Sequence, residues 1–327
     1  MQFYDFNSTK IVKFAIVLTP LFRKIYSTFC GCIPRIFYIF LMKNVLTRSI
    51  TGILYIAAIV GALVAGGWWT WALVMLFGLL GVSEFNRITN RNFVSNTTTL
   101  LDLVGTALLI TICAPQFIHV NDKLILGCIV GYIVYIMLRF IVQLYVQDGN
   151  PLEHLAHSIL GQVYVALPLM LLEIFYRVAG WHIVLFMFIL IWVNDTGAFC
   201  VGSLIGKHKL FERISPKKSW EGFVGGLAFC LIASAAFFYI WPDILNGITL
   251  PEMLVYGITL PEMLVYGTIV CVFSTWGDLV ESMIKRAIGV KDSGNILPGH
   301  GGILDRIDSL LLVAPASFVY FMLLIVR

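Results

Sequence analysis

Charge is what this chain has least of. Only 12% of its 327 residues are Asp, Glu, Lys or Arg, while 59% are hydrophobic. A soluble domain carries about 25% charged and about 45–50% apolar residues, so a large water-soluble core is excluded. Cysteine pairs at metal-binding spacing are also lacking. Of the seven cysteines, Cys113, Cys128, Cys200, Cys230 and Cys271 sit in apolar runs and read as small buried hydrophobes. The lone Cys30-x-Cys32 has no partner pair, which argues against zinc. No small-residue cleavage site follows a clean apolar core near the start, which argues against a cleaved signal peptide. Solenoid repeats, which recur at least three times with drift, are missing too. Instead GITLPEMLVY occurs twice, letter for letter, at 247–256 and 257–266. We expect the second copy to join the following helix. The first should be an extra non-cytoplasmic loop or helical extension without a catalytic role.

What the chain does have is long apolar segments. Nine read as spans: 50–67, 69–85, 99–118, 124–146, 158–179, 181–202, 221–241, 264–288 and 307–325. Each approximates the ~17–25 residues needed to cross roughly 30 Å of hydrocarbon. The expected fold is an all-α polytopic membrane protein. Its cations set an orientation under the positive-inside rule. Lys43 and Arg48, Arg87 and Arg91, the run Lys207, Lys209, Arg213, Lys217, Lys218, and the group Lys285, Arg286, Lys291, Arg306 all fall on one side if the N-terminus is cytoplasmic. The acidic 148–157 connection is a mild exception on that side. Residues 1–41 hold five cations and one acid, while the remainder holds 17 of each sign. We therefore read 1–41 as a basic extension: Met42 is the native start, or 1–41 is a dispensable surface-lying segment. Residues 42–180 form the N-terminal membrane helices and 181–327 the catalytic region.

Three polar clusters interrupt the apolar helices. The first is Asn194-Asp195-Thr196-Gly197. The second runs from Ser215 through Lys217 and Lys218 to Gly222, followed by Gly225 and Gly226. The third runs from Trp276 to Arg286 and continues to Asp308. An ionisable group within a span costs about 2.5–3.5 kcal/mol at its centre, so Asp195, Asp278 and Glu281 should face a polar cavity or a cation. The bland reading is an acid paired with a neighbouring helix, and lysines that only mark the membrane edge. Spacing weighs against it. Asp278, Glu281, Ser282 and Lys285 follow an i, i+3, i+4, i+7 pattern and line one helix face. Asp305 and Asp308 share a face where the last helix begins, so two carboxylate-bearing faces could meet across one divalent ion. Gly299 to Gly302, with His300 among them, could offer backbone N–H groups to an anion at that helix start. Cations, carboxylates and glycines in one place suit phosphate chemistry at a membrane surface.

The stretch Ser282 to Asp308, S-x-I-K-R-x4-K-D-x-G-x2-L-P-x-H-G-G-I-x-D-R-I-D, resembles the signature of the phosphatidate cytidylyltransferase (CDP-diacylglycerol synthase) family. NDTGA at 194–198 and GKHKL…ISPKKSWEG at 206–222 are similar to that family's upstream motifs. The resemblance covers about residues 42–327, apart from the extra ten near 247–266. It implies that CTP and phosphatidic acid give CDP-diacylglycerol and pyrophosphate, with the active site at the cytoplasmic side of the C-terminal helices. On this reading Asp278 and Asp305 ligate Mg²⁺, alone or with a second cation, and Asp308 is a further ligand or orienter. Lys285 and Arg286 act at the reacting phosphates. Lys217, Lys218, Lys291, Arg306, His300, Gly301 and Gly302 bind substrate, and Asn194 and Asp195 line the cavity. The implied setting is a bacterial inner membrane, with membrane lipid and a homodimer as partners and no nucleic acid. Two rivals stay open: a CTP-dependent lipid kinase attacking the γ-phosphate, and a transporter of an anionic solute.

Overall fold

The structure, a computed structural model, describes residues 35–90, 96–113, 122–147, 149–241, 257–294 and 301–326, without the side chains of 35–48 and 122. The described chain is nearly all helical. α1 is Arg35–Ala65, α2 Trp68–Thr89, α3 Asn96–Ile112, α4 Asp122–Gln143 and α5 Pro151–Gly161. A π-helical turn, Gln162–Ala166, leads into α6, Leu167–Ile205. Two short strands, β1 (Lys209–Phe211) and β2 (Ser215–Ser219), precede α7 (Trp220–Ile240), α8 (Leu260–Ile288), α9 (Leu304–Ile307) and α10 (Leu310–Val326).

Six stretches among the described residues are long and apolar enough to cross a membrane: Trp68–Thr89, Lys123–Gln143, Pro151–Ile205, Trp220–Ile240, Leu260–Ile288 and Leu304–Val326. Ser49–Ala65 and Asn96–Ile112 are apolar but shorter. The 55-residue stretch is not one rod, because Gly180 inside it has φ 78° and ψ 168°. A Cβ is disfavoured at that φ, so glycine permits the break where the fifth and sixth expected spans meet.

Several expectations shift. The chain is not wholly helical: β1 and β2 pair antiparallel between α6 and α7. The 148–157 connection is largely the start of α5, where the Asn150 side chain accepts from Leu152 N–H at 3.1 Å and Pro151 takes the first helical position. The last span is interrupted at Asp308 and Ser309. There Gly277 of α8 admits the backbone so closely that an added Cβ would lie 2.8 Å from the Asp308 carbonyl oxygen. Ser309 Oγ donates to the Ser274 carbonyl at 3.1 Å. The second copy of the duplicate enters α8, which starts at Leu260 behind a Thr259 cap whose N–H and hydroxyl donate to Glu262 at 2.8 and 2.7 Å. The first copy, Gly299 and His300 lie outside the described residues.

α6 sits at the centre, packed on α7, α8 and α10. Glycines make the α6–α7 approach close: a Cβ on Gly225 would collide with Val201, and one on Gly226 with Asn194 Oδ1. This is the small-residue packing that membrane helices use where hydrophobic driving force is absent. Phe175, Phe321 and Tyr266 fill the core behind the polar face.

The N-terminal helices are joined by a polar hub that the sequence reading did not find. Asp102 of α3 is buried and accepts from Asn86 Nδ2 at 2.8 Å, Tyr135 OH at 3.0 Å and Ser158 Oγ. Arg139 Nε lies 3.4 Å from Asp102 Oδ1 and also donates to Ser158 Oγ at 2.9 Å. Gln162 of the π turn donates to the Asp102 carbonyl at 2.9 Å. Asp102→Ala would leave the Arg139 guanidinium buried and unneutralised. It should cost about 3–5 kcal/mol of stability. Reversible denaturant titration in micelles checks this, and a shift below about 1 kcal/mol, the size of a surface pair, would contradict it.

Candidate functional site

The site grows from the polar face of α8. Ser282 Oγ donates to Asp278 Oδ1 at 3.3 Å, and Lys285 is ion-paired to Glu281, so the i, i+3, i+4, i+7 face forms as expected. Lys285 Nζ also reaches Asp305 Oδ1 at 2.7 Å, which joins α8 to the start of the last span. The α8 C-terminus makes that return possible. Gly289 has φ 76° and closes the helix, with Val290 N–H donating to the Lys285 carbonyl at 2.8 Å. The chain then doubles back, and Ser293 N–H donates to both Asp305 oxygens, at 3.2 and 3.0 Å.

β2 delivers the second cation. Lys218 Nζ stands 3.1 Å from Asp278 Oδ2 and donates to the Thr275 carbonyl at 3.0 Å. The neighbouring Lys217 is exposed. Ser219 then caps α7, accepting from Gly222 N–H at 3.1 Å. Glu221 accepts from Lys207 N–H at 3.1 Å and His208 N–H at 3.2 Å, which ties the hairpin to the α7 start. Beside this hairpin an open groove of about 970 Å³ is lined by apolar Val201, Ile205, Trp220 and Val224 together with Lys207, Lys209, Glu212 and Glu221.

α6 supplies the third side. Asn194 is 2% exposed, and its Nδ2 stands 3.4 Å from both Ser274 Oγ and Thr275 Oγ1 of α8. Its Oδ1 is buried without a hydrogen-bond partner among the described residues. Asp308 lies in the electrostatic field of both Asp278 and Asp195. Its Oδ1 accepts from Ser309 N–H at 2.6 Å.

The other sequence-named residues are placed less centrally. Arg286 and Lys291 are exposed, and Arg286 NH1 donates to the Val290 carbonyl at 3.4 Å. Arg306 is half-buried, and its carbonyl accepts from Tyr55 OH at 3.3 Å. Gly302 N–H donates to Asp305 Oδ2 at 2.9 Å, and Leu304 N–H donates to Glu84 Oε2 at 2.9 Å. Those two N–H groups at the start of α9 are thus held by the protein's own carboxylates. Gly301 has φ 83°, and an added Cβ would come within 2.7 Å of Asp305 Oδ2. Glu84, Arg87 and Ser293 were not found from the sequence. The available signal was an acid and a base at the end of an otherwise apolar span.

The donor set suits a hard cation in part. Asp195, Asp278 and Asp308 offer only oxygen and influence one another, with Lys218 beside them. Carboxylate oxygens are what Mg²⁺ takes. Among the described residues, however, no three His, Cys, Asp or Glu side chains form a ready-made metal cluster. The Asp305 oxygens already accept from Lys285, Ser293 N–H and Gly302 N–H.

Apolar helices that enclose ion-paired lysines and several carboxylates define a membrane protein with a charge-dense polar site suited to anionic phosphate groups. Comparison with known proteins narrows this. Residues 46–324 match the cytidylyltransferase family, so the chain belongs to that family. A Staphylococcus aureus protein named phosphatidate cytidylyltransferase is 36% identical over 280 residues, covering 82% of this chain and 95% of that protein. One from Staphylococcus epidermidis, with the same name, is 34% identical over 274 residues with the same coverage. A third, from Staphylococcus saprophyticus, is 48% identical over 139 residues, 42% of this chain and 48% of its own length.

Proposed function

We infer that this protein transfers the cytidylyl group of CTP to phosphatidic acid, giving CDP-diacylglycerol and pyrophosphate for phospholipid synthesis. The observation that carries the reading is the family match across residues 46–324, within which α8 bears two ion-paired groups, Lys218 with Asp278 and Lys285 with Glu281 and Asp305. An oxygen of the lipid phosphate attacks the α-phosphorus of CTP, a new P–O bond forms, and the bond to the β-phosphate bridge breaks as pyrophosphate leaves. The nucleophile is already an anion, so no strong general base is needed. Catalysis rests on bringing two repelling phosphates together and neutralising them.

Lys218 and Lys285 are the cations best placed for that work, because each is already held in position by carboxylates. Arg286, Lys217 and Lys291 are exposed and suited to capturing the incoming triphosphate, with Arg306 and His300 as further donors. Gly302, with Gly301 beside it, would offer its N–H to a phosphate by releasing Asp305. Asn194 and Asp195 line the wall on the α6 side. Mg²⁺ would be held by Asp278 and Asp308, and Asp195 would serve a second cation. Asp305, our other ligand from the sequence, could join only by releasing a bond to Lys285 or to Ser293 N–H. When bound, the ion supplies charge neutralisation at the phosphate oxygens.

The groove beside the hairpin, with apolar side chains next to Lys207 and Lys209, is where an anionic lipid would arrive from the bilayer. Splitting the long stretch at Gly180 and adding the two shorter apolar helices gives nine crossings, with the N-terminus and the basic connections cytoplasmic. The bacterial inner membrane is the setting consistent with a CTP-dependent lipid enzyme.

Purified protein in detergent, given phosphatidic acid, Mg²⁺ and CTP labelled on either the α- or the γ-phosphate, tests the reading. Label should enter the lipid from α-labelled CTP alone. Label from the γ-position would mean a lipid kinase, and no transfer to any lipid would return the transporter reading.

A further inference from the structure

We propose that Glu84, on α2 in the N-terminal half, is a positioning residue for this reaction, holding Ser293 and the start of α9, which carries Asp305; the inference rests on the function proposed above. Glu84 is 2% exposed, in the last part of an otherwise apolar helix. Its Oε2 accepts from Ser293 Oγ at 3.1 Å and from Leu304 N–H at 2.9 Å, so one oxygen grips both limbs of the signature. One turn on, Arg87 NH2 donates to the Ser293 carbonyl at 3.0 Å. Ser293 in turn gives its N–H to both oxygens of Asp305, which pairs with Lys285. A bonded path therefore runs from α2 through Ser293 and Asp305 to the catalytic face of α8.

The glycines around Glu84 fit the same role. A Cβ on Gly302 would collide with Glu84 Oε2 and Ser293 Oγ, and one on Gly294 would collide with Glu84 Oε1. A side chain at Gly294 or Gly302 would have to displace this carboxylate. A buried carboxylate is costly unless it is bonded, so its presence at this depth implies a purpose beyond packing. Glu84 touches no reacting atom in this account. It acts through Ser293 and Leu304, setting where Asp305 and Lys285 stand.

The test compares wild type, Glu84→Gln, Glu84→Ala and Ser293→Ala as full chains in detergent, reading pyrophosphate release against CTP concentration and the melting temperature. For Glu84→Ala kcat should fall about a hundredfold, since small misplacements of catalytic groups cost that much. KM for CTP should stay within about threefold, because the exposed cations are untouched. Glu84→Gln keeps an acceptor for the Leu304 N–H and should recover to within about fivefold of wild type. Ser293→Ala, which removes one hydroxyl, should lower kcat about tenfold with a smaller loss of melting temperature than Glu84→Ala, and so tests the path even if Glu84→Ala does not fold. An active wild type with kcat unchanged in Glu84→Ala or Ser293→Ala overturns the positioning role alone. So does a Glu84→Gln variant as impaired as Glu84→Ala. An inactive wild type refutes the assigned function and the positioning role with it.

Discussion

Asp278→Asn should leave the protein inserted and folded while turnover falls about a thousandfold, the scale at which losing a key electrostatic group in an active site is felt. The substitution keeps the shape of the side chain, and the amide can still accept from Ser282 Oγ. What disappears is the negative charge that holds Lys218 Nζ at 3.1 Å and that Asp308 faces across the site. Stability should change little. The Lys218 and Asp278 side chains are 21% and 28% exposed, and a pair with that much solvent contributes about 0–1 kcal/mol. Activity and stability thus separate at this position. Initial rates and melting curves on the same preparations check the split. Substantial Mg²⁺-dependent turnover in Asp278→Asn would remove Asp278 from the metal assignment.

Lys285→Met should do both kinds of damage. Lys285 is the neutralising charge between Glu281 and Asp305, with side-chain exposures of 12%, 2% and 10% for Lys285, Glu281 and Asp305. Removing it leaves two nearly buried carboxylates facing each other, and breaking such a pair costs about 3–5 kcal/mol. The same change takes away a held cation at the reacting phosphates, so residual folded protein should still be slower by about a hundredfold. Lys291→Met is the control. That side chain is exposed, so its loss should be felt in KM for CTP and its salt dependence, with stability almost unchanged. Equal stability losses at Lys285 and Lys291 would contradict the placement of Lys285 as the buried hub.

These contrasts mark what could be read from sequence. Apolar run length found the helices, because a bilayer demands long uncharged segments. Helical spacing found the Asp278, Glu281, Ser282, Lys285 face, because those contacts are local. The resemblance along Ser282 to Asp308 found the family. What escaped depends on partners far apart in the chain. Glu84 meets Ser293 and Leu304 across more than two hundred positions, and Asp102 gathers its partners from three other helices and the π turn. No local pattern announces such pairs. The hairpin of β1 and β2 was missed because its strands run only three and five residues, too short for a period of two to stand out. Asp305 was read as a ligand by its spacing from Asp308, and spacing could not reveal the three protein donors that now share its oxygens.

Release of pyrophosphate from CTP by the purified protein, measured with phosphatidic acid and Mg²⁺ supplied separately and together, tests the central claim most directly. The account predicts release only when both are present, with an equal amount of CDP-diacylglycerol in the lipid phase. Pyrophosphate release without the lipid, or formation of CDP in place of pyrophosphate, would contradict it.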